Sequence, residues 1–451
     1  MKIHPSDEVL EELSVFLDKD RRRIVQHLAR CPVCMERFEA LFLKLTQEKG
    51  ASADLAAREL NADDYGPLLD RMEAFAQRQG QLLEKERRAA PGLFLELLAL
   101  PSQEWLSRIE DSEQFRTWGV LELLVERSLE SAASDPVGAE RLALAALRLA
   151  DLLDINLYGE GVLQDIRARA WAHAGNARRV RSDLPGAEEA FAKALTHLEA
   201  GTGDLLEEAV HLDLRASLLR DRRRLGEAAH VLQKAISMFL DLGDRHRAGT
   251  GLVKMATVHH HSGNPEEGIA SLYEALPLID PEREPRLLLC ARHNLIFYLA
   301  SAGRYQEAQE LYRSSRSLYR DFPDAWVQNR RKWVRGKISR GLGQPSVAES
   351  LFLAARQGFL AEGMSYDTAL ISLELATLYA EQGRTADLKV LAQEMLPIFT
   401  SLQIHREALA ALAYLRQAME AERVTVDLIT MVANYLDRAR HDPELRFQEP
   451  S

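Results

Sequence analysis

Small and large apolar positions recur along this chain at a fixed long period. After a helix-ending glycine or turn come Gly186-Ala-Glu-Glu-Ala-Phe-Ala-Lys-Ala-Leu195, Gly226-Glu-Ala-Ala-His-Val-Leu-Gln-Lys-Ala235, Pro265-Glu-Glu-Gly-Ile-Ala-Ser-Leu-Tyr-Glu-Ala275 and Tyr305-Gln-Glu-Ala-Gln-Glu-Leu-Tyr312. The small or aliphatic mark falls at Ala187, Ala228, Gly268, Ala308, Ala348 and Leu388, a period of about 40, in the range of helical-hairpin arrays. About 12 positions earlier a second such residue recurs at Gly175, Ala216, Ala256, Ile296, Gly336 and Ala376, where the two helices of a hairpin would cross closely. Four positions after the first mark stand Phe191, Leu232, Leu272, Tyr312 and Phe352. Small-against-large complementarity is a packing requirement at such crossings, so these residues predict core and no ligand box.

Outside the array, apolar periodicity breaks between about 47 and 62, through Gln47-Glu-Lys-Gly-Ala-Ser-Ala and Asn61-Ala-Asp-Asp. That marks a linker. The spacing of Leu68, Met72, Phe75, Leu82 and Leu83 predicts a helix over 63–89 that ends before Pro91-Gly92, with Lys85, Arg87 and Arg88 near its C-terminus. Sparse glycine (25) and proline (16) in 451 residues fit long helices joined by short turns. The expected organisation is all-α: 1–46 a small helical domain, 47–62 a linker, 63–115 connecting helices, 116–438 an α-solenoid of helical hairpins, and 439–451 a tail.

The repeat residues resemble the tetratricopeptide repeat family over roughly 116–438, which implies that the α-solenoid is right-handed. That resemblance implies a concave face lined by the first helix of each hairpin, and so a partner-binding groove formed by Arg169, Asn176, Arg179, Asp213, Ser217, Arg220, Thr250, Thr257, His260, His293, Phe297, Arg330, Trp333, Lys337 and Arg340. Cations outnumber acids along this line in a chain of net charge -11. Such a groove is expected to select an acidic protein or peptide segment, with Trp333 as an exposed anchor. A solvated helix face is the competing reading. His259-His-His261 cannot share an ion well, because consecutive helix residues diverge by about 100°. Cys290 reads as a small buried thiol.

The first 46 residues carry separate chemistry. His27-Leu-Ala-Arg-Cys31-Pro-Val-Cys34 sets an imidazole one helical turn before the first of two thiolates, and His4 supplies a fourth donor. Two histidines and two cysteines close a tetrahedral sphere, which suits one structural Zn2+ with no open position for catalysis. A redox Cys-x-x-Cys would need a βαβ context foreign to this helical pattern. Together with the flanking Phe16-Leu-Asp and Phe38-Glu-Ala-Leu, this stretch is similar to the anti-sigma-factor zinc-binding domain. The similarity implies transcription regulation through a sigma factor, directly or by descent.

The acidic balance argues against a general nucleic-acid binder, although a DNA-associated transcription factor using the zinc module and the clusters Arg222-Arg-Arg224 and Arg330-Arg-Lys332 is the alternative. No nucleotide loop or hydrolase elbow occurs, so a non-enzymatic adaptor is expected. The most apolar run, Leu93 to Leu100, is far shorter than the roughly 20 residues of a bilayer span and is interrupted by Glu96. With few cysteines and no leader pattern, the expected compartment is the cytoplasm. Metal analysis of the purified protein is expected to return about one zinc per chain, lost in Cys31→Ala while the helical array stays folded. Protein isolated without chelator that carries no zinc would refute the assignment.

Overall fold

The protein is described here by a computed structural model covering residues 62–401, 406–439 and 445–448. His4, His27, Cys31 and Cys34, the zinc-binding segment and the linker up to residue 61 lie outside the described residues. Among the described residues every regular element is helical: α1 (Ala62–Leu98), α2 (Trp105–Asp111), α3 (Trp118–Ser131), α4 (Pro136–Leu152), α5 (Ile155–Tyr158), α6 (Glu160–Val180), α7 (Leu184–Ala200), α8 (Leu205–Asp221), α9 (Leu225–Asp241), α10 (Arg245–His261), α11 (Pro265–Ala275), α12 (Pro285–Ser301), α13 (Tyr305–Ser314), α14 (Arg316–Arg320), α15 (Ala325–Gly341), α16 (Pro345–Ala361), α17 (Ser365–Glu381), α18 (Thr385–Ser401), α19 (Arg406–Glu420) and α20 (Val426–Ala439). No helix is long and apolar enough to cross a membrane among them.

Short-range chemistry sets the helix ends. Asp135, Asp183, Asp244 and Asp324 each accept a hydrogen bond from the backbone N–H three residues on, at 2.9 to 3.1 Å, which satisfies a donor the first turn would leave bare. At the other end the chain must leave the helix in the left-handed region, which glycine enters without a Cβ clash. Gly243, Gly263, Gly343, Gly363 and Gly383 hold φ between 65° and 81° there, and Arg223 fills the same slot at φ 59°. Most hairpin helices consequently stop at 17 residues.

The chain divides into two compact units, ending at Arg215 and beginning at Ala216. In the first, α1 packs on α3, α4 on α3 and α6, and α6 on α7. The predicted crossing is present: a Cβ on Gly175 would lie 3.1 Å from the Phe191 ring and 3.3 Å from the Ala187 carbonyl. In the second unit Gly336 leaves still less room, with Phe352 ring atoms 2.4 and 2.5 Å from where its Cβ would stand. Gly175 and Gly336 thus each admit an aromatic ring of the paired helix, whereas Gly268 admits the Ala256 carbonyl, 3.0 Å from where its Cβ would stand.

One expectation is overturned. The helix predicted to end before Pro91 continues to Leu98. Proline removes a backbone donor and by itself opposes a helix interior. Here Ala90, Phe94 and Leu97 form one buried stripe on both sides of it, and packing of that stripe outweighs the local penalty. At the centre of this interface Glu86 accepts the Trp118 N–H at 2.8 Å and the Tyr158 hydroxyl at 2.7 Å, while Trp118 and Tyr158 stack with centroids 5.9 Å apart.

The α1–α3 contact is so close that a Cβ on Gly119 would stand 2.5 Å from the Glu86 backbone. Gly119→Ala is expected to destabilise the fold by about 1–3 kcal/mol. Gly80→Ala, on the same α1 with nothing within 4 Å, is expected to stabilise by up to about 1 kcal/mol. Denaturant midpoints of the two variants check the pair.

Candidate functional site

The first helices present the positions counted from the repeat, and most of their cations already have partners. In the first unit Arg169 donates to Glu207 at 2.9 Å, and Arg179 to Asn176 at 2.9 Å. In the second, Arg220 donates to Asp221 at 2.7 Å and Arg330 to Asp367 at 2.8 Å. Glu374 takes both Lys337 at 2.7 Å and Arg340 at 2.8 Å. Burial alone would raise the Glu374 carboxyl, yet these two cations outweigh it and hold it below its ordinary value. The expected basic strip is therefore neutralised in part: Glu207, Asp367 and Glu374 come from the following first helix, at positions outside the counted line.

Trp333 departs from expectation more sharply. It is 6% exposed, wedged edge-on between Phe297 and Phe359 at 5.8 and 5.9 Å, and belongs to the core. The Lys337 ammonium caps Phe297 at 4.9 Å. Polar neighbours thus seal an aromatic cluster that the counted register assigned to solvent. His260 is likewise drawn inward and stacks on Tyr298 at 4.3 Å.

The aromatic that α15 does expose is Trp326, two helical turns before Trp333 on the same face and 42% exposed. It stands at a cleft of about 320 Å³ walled by the N-terminal halves of α12 and α15 together with Tyr319. The Arg330 guanidinium lies 4.8 Å from the Trp326 ring centroid and that of Arg286 5.9 Å. Arg286 reaches Asp324 only across an exposed 3.3 Å contact, which is weak in water. Deeper in the cleft His293 Nδ1 meets the Tyr319 hydroxyl at 2.9 Å. Burial, then Arg330, pushes His293 down to about 3, so the floor is uncharged at neutral pH.

Cys290 also lines the cleft and is exposed, where the sequence suggested a buried thiol. Its sulfur is crowded by neighbours but open through the cleft, and that crowding raises the thiol above its ordinary value, keeping it protonated. Of the sequence-derived groove residues, His293 and Arg330 meet in this cleft. Trp326 and Arg286 escaped the count because it began at Arg330 in α15, one turn too late, and at His293 in α12, two turns too late. Extending each row by seven residues toward the helix start would have found both.

The tetratricopeptide repeat family matches residues 247–321. These hairpins are tetratricopeptide-like. Among solved structures, a Rap protein complexed with competence and sporulation factor is 13% identical, covering 72% of this chain and 92% of that one at a TM-score of 0.54. The apo form of RapI is 14% identical over 70% and 86%, at 0.53. At such identities the likeness establishes the fold, a TPR-like helical solenoid. No curated protein matches the sequence.

The buried histidines give a pH signature. Burial pushes His173 and His211 down to about 4 and His293 to about 3, against about 6.5 for a free histidine. The unfolded chain then binds more protons than the folded one below about pH 6.5. This stabilisation is complete above that pH and is lost as pH falls toward 4 and 3, by at most about 1.4 kcal/mol per pH unit per histidine. The urea midpoint is expected to fall from pH 7 to pH 4, and to fall less steeply in His293→Gln when tryptophan fluorescence is followed. Equal slopes would contradict the assignment.

Proposed function

We propose that this protein is a non-enzymatic adaptor that captures a protein or peptide segment, with the Trp326 cleft as its anchor. The observation that carries the reading is an exposed tryptophan flanked by two guanidiniums at the mouth of a largely apolar cavity. Exposed tryptophan and arginine beside a pocket are the residue types that dominate binding energy at interfaces. The ligand group that fits is an apolar or aromatic side chain with a neighbouring carboxylate, which would draw Arg286 from its weak contact with Asp324. The Rap protein of similar fold is complexed with competence and sporulation factor, which supports a binding role for this architecture.

The same reading places the protein in the cytoplasm and assigns one structural Zn2+ to His4, His27, Cys31 and Cys34, on the chemistry of that donor set. A sigma factor is the partner class that the N-terminal similarity favours for residues 1–46.

Trp326→Ala in the full chain is expected to weaken capture of the partner by about 2 kcal/mol, mainly through faster dissociation, with the helical circular dichroism unchanged. Trp333→Ala is expected to act in the opposite manner, lowering stability by about 3–5 kcal/mol because it opens a core cavity. Wild-type affinity in Trp326→Ala would place binding elsewhere on the molecule.

A further inference from the structure

The last described helix does not sit as a terminal hairpin helix should. Elsewhere a second helix packs on its own first helix and on the first helix of the next hairpin, whereas α20 packs on α19 and on α17, the first helix of the preceding hairpin. On α17, Tyr366 occupies the position that Trp326 holds forty residues earlier in α15, and its hydroxyl approaches the Ala439 carbonyl at 3.5 Å. Farther along, the Asp437 carboxylate acts electrostatically on His260 of α10 and on Tyr298 of α12, the buried ring on which His260 stacks. Arg438 and Leu445 then wall a cavity of about 470 Å³ with Arg223, Leu225 and His261, at the turns that end α8 and α10. The segment thus runs across the inner face of the second unit from α17 back to those turns.

Its chemistry matches that position. Ile429, Val432, Tyr435, Leu436 and Ala439 are buried on one stripe, while Thr430, Asn434 and Arg438 are exposed on the other. The chain beyond α20 folds back on it: the Tyr435 hydroxyl donates to the Leu445 carbonyl at 2.8 Å, and Phe447 packs against Tyr435 and Tyr414 at 5.1 and 5.8 Å. An amphipathic helix laid into a groove is a recurrent mode of peptide recognition.

We propose that the inner face of the second unit is a helix-binding site, that α20 is its resident occupant, and that an external amphipathic helix with a similar apolar stripe and an acid at the Asp437 position binds by displacing it. The external half of this proposal deepens the peptide-binding reading; the internal half stands without it. Residues 421–425 tether α20 to α19, so the internal ligand competes at an effective concentration in the millimolar range. No residue of α20 lines the Trp326 cleft.

The test uses the full chain, with Asp437→Lys and Val432→Asp as variants, amide hydrogen exchange as one readout and binding of a fluorescein-labelled synthetic peptide of residues 424–448 as the other. Asp437→Lys keeps the helix-forming tendency of α20 while reversing its charge toward the inner face. Exchange over 426–439 is expected to rise roughly tenfold or more in both variants, with α10, α12, α15 and α17 still protected. The peptide is expected to bind Val432→Asp roughly tenfold or more tighter than wild type, because the site is vacated. If Val432→Asp fails to fold, Asp437→Lys decides. Unchanged exchange in Asp437→Lys, equal peptide affinity for wild type and a folded Val432→Asp, or protection lost from the hairpins together with α20 in Asp437→Lys would overturn the proposal, the last by making α20 a structural cap. No external partner enters either measurement, so failure here leaves the Trp326 reading standing, and failure at Trp326 leaves the internal half of this one.

Discussion

The constraint on which the rest of the structure depends is the closeness of paired helices. At Gly175 and Gly336 the backbone of one helix lies against an aromatic ring of the other, Phe191 or Phe352, tight for a methyl group at Gly175 and closed to one at Gly336. Because such an interior is close-packed, each pair has essentially one register, and the register decides which residues face inward. The array of hairpins multiplies that local choice. Turn geometry reinforces it, since left-handed residues at repeated positions cut the helices to a common length.

Charge pairing along the inner face follows from this spacing. First helices of successive hairpins are parallel neighbours about forty residues apart in sequence, so a cation on one meets an acid on the next. Arg169 with Glu207, Arg330 with Asp367, and Lys337 and Arg340 with Glu374 are all of this kind. Buried or half-buried pairs contribute modestly to stability when whole and are strongly destabilising when one partner is removed. Their effect here is to fix adjacent hairpins and to take most of the basic line out of play as free charge. What remains available is concentrated at Arg286 and Trp326, where the pairing is loosest.

The inner face of the second unit is accordingly divided between two uses. Around Trp333 it is sealed by aromatic packing and by Lys337 over Phe297, and α20 lies over α17. Around Trp326 it is open, apolar and rimmed by guanidinium groups. A binding surface beside an internal helical segment offers a physical route to coupling, because a ligand can shift the segment only through unequal affinity for its docked and released states.

The sequence by itself determined the helical class, the forty-residue period and the crossing residues, because each depends on local propensity and on side-chain size at fixed spacing. Gly175, Phe191, Gly336 and Phe352 were legible for that reason. Tertiary structure decided where the helices ended and which aromatic met solvent. Pro91 argued for a stop that the buried stripe through Phe94 and Leu97 overrode. Trp333 and Trp326 lie on one face of one helix and differ only in what the neighbouring hairpins bring against them: Phe297 and Phe359 enclose the first, while the cleft leaves the second open. The acids that neutralise the basic line, and the return of α20 onto α17, are contacts between residues tens of positions apart. No periodicity within a single helix encodes them.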